Sequence, residues 1–134
     1  MESMVHRIAF ARFRMKMILD TPSPNHDART PGVPIDILVL HYTGMQSGAA
    51  AIERLCDAAA EVSAHYVIEE DGRIHRLVAE DRRAWHAGVA CWRRENAVNA
   101  RSIGIELVNP GHEWGYRPFP EAQMAALEQL ARDI

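Results

Sequence analysis

An excess of positive charge is the first thing this sequence lacks. Fifteen Lys and Arg stand against eighteen Asp and Glu, for a formal charge of −3. No basic face of the kind nucleic acid needs is therefore on offer, and we expect no nucleic-acid partner. Lysine is almost missing, with Lys16 alone among the arginines. No apolar run approaches the ~20 residues that span a bilayer, so we expect no integral membrane segment. Cysteine is scarce: Cys56 and Cys91 form no C-x-x-C pair, which excludes a disulfide framework. We expect both as small buried hydrophobes in a reducing compartment. Also missing are a phosphate-cradling glycine loop, a dinucleotide fingerprint, a G-x-S-x-G elbow, and an H-x-x-x-H pair that would set two ligands on one helical face.

What is present suits one soluble domain. The chain has 134 residues, 48% hydrophobic and 25% charged. Residues 1–22 read as a poorly structured N-terminal extension, with the domain running over 23–134. Val5, Ile8, Ala9 and Phe13 would line one side of a basic amphipathic helix if the start is ordered. Arg12, Arg14 and Lys16 interrupt any apolar leader, so no secretory signal is read and a cytoplasmic location is expected. Pro22, Pro24, Pro31 and Pro34 forbid helix and make an extended lead-in.

Ile35 to Leu40 is a short apolar run, Asp36 apart, and predicts a strand covered on both faces. Ala49 to Ala60 is rich in helix formers, with Ile52, Leu55 and Cys56 on one face. Ser63–Ile68 and Arg73–Val78 flank Asp71-Gly72 and predict a hairpin. Ser102 to Val108 predicts a further strand, stopped by Asn109-Pro110-Gly111. Pro120 opens a helix whose inward face is expected to carry Met124, Leu127, Leu130, Ala131 and Ile134. The order is strand, helix, three strands, helix: mixed α/β, one sheet covered by helices. The last helix shows no stop signal, and we expect a domain interrupted at Ile134.

Two residues carry the chemistry. His41 ends the first core strand, where functional groups of α/β sheets collect. It is placed either to ligate a metal, its second nitrogen oriented by a partner, or to serve as a hydrogen-bonded core residue. Glu106 lies among Ile103, Ile105 and Leu107, beside Gly104, which lets another group approach closely. Desolvation there would raise its pKa and suit a general base; the alternative is an exposed acid on the polar face shared with Ser102 and Gly104. The pairing suggests metal-assisted hydrolysis. His65, His75 and His112 are further candidates; for His65 and His75, on the hairpin arms, the alternative is that they face water. His86, beside Trp85, reads as a groove-lining residue or a packed loop histidine.

Several segments in order then resemble one family. They are Ser23-Pro24-Asn25-His26-Asp27-Ala28-Arg29, Ile37 to Thr43, Val62 to Ile68 with Asp71-Gly72, and Ala84-Trp85-His86-Ala87-Gly88. Asn99 with Ser102 to Leu107, and Gly115-Tyr116 to Pro120 with Gln123, complete the set. Together they resemble the zinc-dependent N-acetylmuramoyl-L-alanine amidases of type 2. The resemblance implies a central mixed β-sheet flanked by helices, as in peptidoglycan recognition proteins. It implies hydrolysis of the amide between N-acetylmuramic acid and L-alanine in peptidoglycan or muropeptide fragments, with Zn2+ as cofactor. By the same resemblance His41 matches the first zinc ligand, Glu106 the glutamate that activates water, and Trp85 and His86 part of the substrate groove. Ala64 stands where some relatives carry a catalytic tyrosine, which places more of the proton work on Glu106. The family's second histidine and third ligand come from a later Gly-His and Lys-x-Asp-Pro stretch, which residues 1–134 do not contain. The alternative function is therefore a peptidoglycan-binding module or a remnant without catalysis.

Overall fold

Three parallel strands at one end of a sheet set the frame of the molecule. The computed structural model describes residues 18–134, so the start considered for Val5 to Phe13 lies outside the described residues. Strands β1 (Ile18–Asp20), β3 (Ile37–Tyr42), β4 (Tyr66–Ile68), β5 (Ile74–Arg76) and β7 (Ser102–Leu107) form one sheet in the order β1-β5-β4-β7-β3. β3, β7 and β4 run parallel, β4 and β5 form the antiparallel hairpin, and β1 joins β5 in parallel. A separate two-stranded ribbon pairs β2 (His26–Ala28) with β6 (Arg82–Ala84). The expected boundary at residue 23 leaves β1 outside, yet the sheet begins at Ile18.

One helix covers each face. α1 (Gly48–Cys56) starts where the Ser47 hydroxyl accepts from the Ala50 N–H. Its Leu55, with Ile52 and Cys56, packs on Val67, Leu77, Val78, Ala84 and Val108. α2 (Glu121–Asp133) packs on the other face, where Ala126, Leu127 and Leu130 meet Ile68, Ile103 and Ile105. Alternation does the sorting: Ile103, Ile105 and Leu107 point toward α2, and Ser102, Gly104 and Glu106 toward the α1 side.

Four expectations need correction. β3 is not covered on both faces: it is the edge strand, and Leu38, Leu40 and Tyr42 are 38, 51 and 53% exposed. α2 stops short of β3 and covers its register partners on β7 instead. The inward stripe of α2 is also shifted. Gln123 is fully buried while Met124 and Ile134 are exposed, because the Gln123 amide donates to Ile68 O at 2.9 Å and Val108 O at 3.0 Å. It satisfies Val108 O and adds a second bond to Ile68 O, which already accepts from the Val108 N–H. His65 does not face water but is fully buried, and His75 is tied to Thr21 and Glu69. Cys56 is only half-buried, packing on the margin of the α1 cluster, and Cys91 is exposed in the loop before β7.

The lead-in is held by buried polar groups. Asn25 Nδ2 donates to Asp57 O and Val62 O, each at 2.8 Å, and the Ser23 hydroxyl donates to Leu55 O. These bonds fasten the end of α1 to the strand that follows. Asn25→Ala strands two half-buried carbonyls, each costing about 1 kcal/mol or more. We expect a loss of about 2–3 kcal/mol in urea unfolding; an unchanged midpoint would mean that water meets those carbonyls instead.

Candidate active site

The parallel register of β3 and β7 puts His41 directly opposite Glu106, Val39 opposite Gly104, and Ile37 opposite Ser102. Register partners in a parallel pair share a face. His41 and Glu106 are therefore neighbours on the α1 side of the sheet, roughly 4.8 Å apart strand to strand. Gly104 leaves room above the sheet, and the ring of His86 fills it. A Cβ at Gly104 would stand 2.6 Å from Cδ2 and 2.7 Å from Nδ1 of that ring.

The hydrogen bonds of His86 fix where the protons lie. The Ser102 hydroxyl is 2.6 Å from Val98 O, a carbonyl that only accepts, so the hydroxyl proton is spent there. Ser102 Oγ, 3.0 Å from His86 Nε2, must then accept from an Nε2–H. Burial first, and then repulsion from His41 and His65 once they are protonated and from Arg29, lower the His86 pKa to about 3. The ring is neutral near pH 7, and its Nδ1 is a lone pair. His41 Nε2, 3.0 Å away, donates to it. Burial lowers the His41 pKa as well. His41 is thus left as a neutral imidazole with its proton on Nε2 and an open lone pair on Nδ1. That is the state a metal requires. Sequence reading placed His86 in the groove; the structure also makes it the partner of His41, with both ring nitrogens engaged.

Glu106 has the opposite character. Its Oε2 is buried with no hydrogen-bond partner, and desolvation pushes its pKa up to about 7. A carboxyl at that pKa exchanges a proton readily at neutral pH. It lines a cavity of about 430 Å³ with His86, Trp85, Thr43, Arg54 and Ser63. His41 lines an adjoining cavity of about 380 Å³ with Cys91 and Trp92. His86 lines the first of these cavities and touches His41.

The wall beside His86 is stiffly held. Asn99 Oδ1 accepts from the backbone N–H groups of His86 and Ala87. Arg29 donates to Glu80 O at 2.7 Å, Ala100 O at 3.2 Å and Ser102 O at 2.9 Å. Behind Gly104 sits His65. Its Nδ1 accepts from the Gly104 N–H and its Nε2 donates to Arg82 O, both at 3.0 Å. Burial lowers the His65 pKa to about 4, with Arg29 adding to the effect and the Arg82 carbonyl opposing it. This histidine is a neutral wedge with no lone pair to spare. His112 stacks on Tyr116, away from the other histidines. Arg29 and Ser102 escaped sequence reading as site-builders. Their only signal was membership in the segments that carry the resemblance.

Do these residues fit a zinc ion? In part. His41 offers an imidazole lone pair, and the orphaned Glu106 oxygen offers a carboxylate beside it. Among the described residues no three His, Cys, Asp or Glu side chains stand together to hold a metal. A full set of three protein ligands would need groups outside them.

Comparison with known proteins supplies the context. The family described as N-acetylmuramoyl-L-alanine amidase matches residues 31–134. The chain is 38% identical over 112 residues to the N-acetylmuramoyl-L-alanine amidase AmiD of Escherichia coli K12, covering 75% of this chain and 40% of that protein. It is 32% identical over 129 residues to the 1,6-anhydro-N-acetylmuramyl-L-alanine amidase AmpD of Haemophilus influenzae, covering 84% of this chain and 68% of that one. The solved complex of E. coli AmiD with anhydro-N-acetylmuramic acid-L-Ala-D-gamma-Glu-L-Lys superposes with a TM-score of 0.66 at 35% identity. That match covers 78% of this chain and 45% of the AmiD chain. The present chain thus spans less than half of AmiD and about two thirds of AmpD.

Proposed function

The chain belongs to the N-acetylmuramoyl-L-alanine amidase family, and from that premise we propose that it hydrolyses the amide between N-acetylmuramic acid and L-alanine in peptidoglycan or its muropeptide fragments. The observation that carries this reading is the in-register pair: an imidazole with an open Nδ1 beside a carboxyl held near pKa 7. Zinc is the proposed cofactor, with His41 Nδ1 as one ligand. When bound, zinc would supply Lewis-acid polarisation of the scissile carbonyl. Glu106 takes a proton from the attacking water and returns it to the leaving amine, the exchange its raised pKa suits. Ala64, where some relatives carry a tyrosine, is fully buried and brings no proton donor to the site. Trp85 and His86 wall the cavity and hold substrate across the reacting centre. The anhydro-sugar named for AmpD and seen in the AmiD complex favours recycled fragments as substrate, and with them a cytoplasmic site of action. Among the described residues no helix is long and apolar enough to cross a membrane.

One observation favours a second reading. The described residues do not complete a metal site, which suits a module that grips muropeptides without cutting them. Chromatography of an anhydro-muropeptide incubated with the protein and added zinc separates the two. Release of free stem peptide, abolished by chelator, is the expected result. Binding without release supports the gripping module, and the absence of both overturns both readings.

A further inference from the structure

Among the described residues the arginines are mostly paired. Arg76 bonds Asp20, Arg83 bonds Asp27, Arg101 bonds Asp36 and Glu95, and Arg117 bonds Glu70. Arg54 differs. It stands in the last turn of α1, on the wall of the cavity that Glu106, His86 and Trp85 also line. Among the described residues its guanidinium has no hydrogen-bond or ion-pair partner, although Glu53 and Asp57 are close in sequence. An unpartnered guanidinium facing a concave, half-apolar cavity is matched by a planar anion, which it takes through two parallel N–H···O bonds. The other ionisable groups lining that cavity are Glu106, which repels an anion when charged, and the neutral His86. Arg54 is therefore the cavity's one cationic feature.

Substrate chemistry supplies such an anion. In a stem peptide linked through the γ-carboxyl of D-Glu, as in the ligand of the AmiD complex, the α-carboxyl of that residue stays free. It lies two residues beyond the scissile carbonyl. At 3.3–3.6 Å per extended residue that is about 7 Å. A cavity of about 430 Å³ is large enough to hold both ends of such a span. We propose that Arg54 is a specificity residue that reads the free α-carboxylate of the γ-linked D-Glu in the stem peptide. The proposal rests on the amidase reading and goes beyond it, because it divides peptidoglycans into two classes. Chains whose second residue keeps its carboxylate are preferred; chains in which that group is amidated, as D-isoglutamine, are disfavoured.

The test is calorimetry with two synthetic ligands, anhydro-muramyl-L-Ala-γ-D-Glu-L-Lys and the same compound with an α-carboxamide. A Glu106→Gln background prevents turnover during the titration. The carboxylate form is expected to bind about tenfold more tightly than the amide, the scale of a charge-assisted pair in a partly wet site. Arg54→Gln should bring the two affinities together by weakening only the carboxylate ligand, and Arg54→Lys should restore part of the gap. Because Arg54 is exposed on its helix, a far-ultraviolet spectrum like that of the parent confirms a folded variant. Equal affinities in the parent protein, or a gap that survives Arg54→Gln, overturn the proposal while leaving the substrate class standing. Failure of both ligands to bind overturns it together with the amidase reading.

Discussion

Glu106→Gln should slow muropeptide hydrolysis by about a thousandfold, within the range a positioned acid–base group contributes, and should at the same time make the fold more stable at pH 8. The second half follows from the raised pKa. Unfolded, the carboxyl titrates at its ordinary value of 4.5; folded, burial moves it to about 7. The native state therefore binds its proton more tightly, and stability falls as pH climbs from 4.5 through 7. Above pH 7 the native state carries the full penalty of a desolvated carboxylate, about 3 kcal/mol. Glutamine removes the charge and with it that penalty. Urea unfolding at pH 8 should show the gain, and the same comparison at pH 4 should show almost none. Equal stability at pH 8 would mean that Glu106 is not desolvated. Unchanged turnover would remove it from the chemistry.

The same variant exposes a second titration of opposite sign. His65 has its pKa lowered to about 4 by burial. Its share of stability is complete above pH 6.5 and is lost as pH falls through 4, because only the unfolded chain takes up the proton easily. In the parent protein the two groups oppose each other between pH 4.5 and 6.5. With Glu106 replaced, acidification should weaken the fold across that whole interval.

Gly104→Ala is expected to be nearly as damaging, although it adds only a methyl group. The Cβ would collide with the His86 ring, which is held by Ser102 on one side and His41 on the other. Overpacking of this kind costs about 1–3 kcal/mol. The larger effect is indirect. A displaced His86 no longer accepts from His41 Nε2, so the proton that keeps the Nδ1 lone pair open is no longer fixed. Loss of such an orienting partner lowers metal affinity by about 10–100-fold. Competition with a chromophoric chelator measures that affinity, and nitrogen chemical shifts of the His41 ring report its tautomer. Parental zinc affinity in Gly104→Ala would show that His86 does not govern the His41 lone pair.

Much of this arrangement is visible in the sequence, and the hidden part has a common cause. The apolar runs around His41 and Glu106 define two strands, and the strand–helix order gives the α/β class. What alternation cannot convey is which strand ends the sheet. Ile35 to Leu40 is equally apolar whether both faces are covered or one is bare, and here Leu38 and Leu40 are exposed. Nor does periodicity reveal a polar residue wanted for its hydrogen bonds. Gln123 looks like a surface residue and is fully buried, because its amide donates to two sheet carbonyls. The tie between His41 and His86 spans 45 positions and depends on the empty space over Gly104, which only the packed sheet defines. His65 is hidden for the same reason: its burial comes from Arg82 and Gly104, not from its own strand.

The grip of Arg29 has a mechanical consequence. One guanidinium fastens the turn at Glu80 to the residues from Asn99 to Ser102, and Asn99 in turn holds His86 and Ala87. The two segments are spliced into a single plate. Moving one segment without the other would break these bonds. The wall of the cavity over Glu106 is therefore braced as one piece rather than as two.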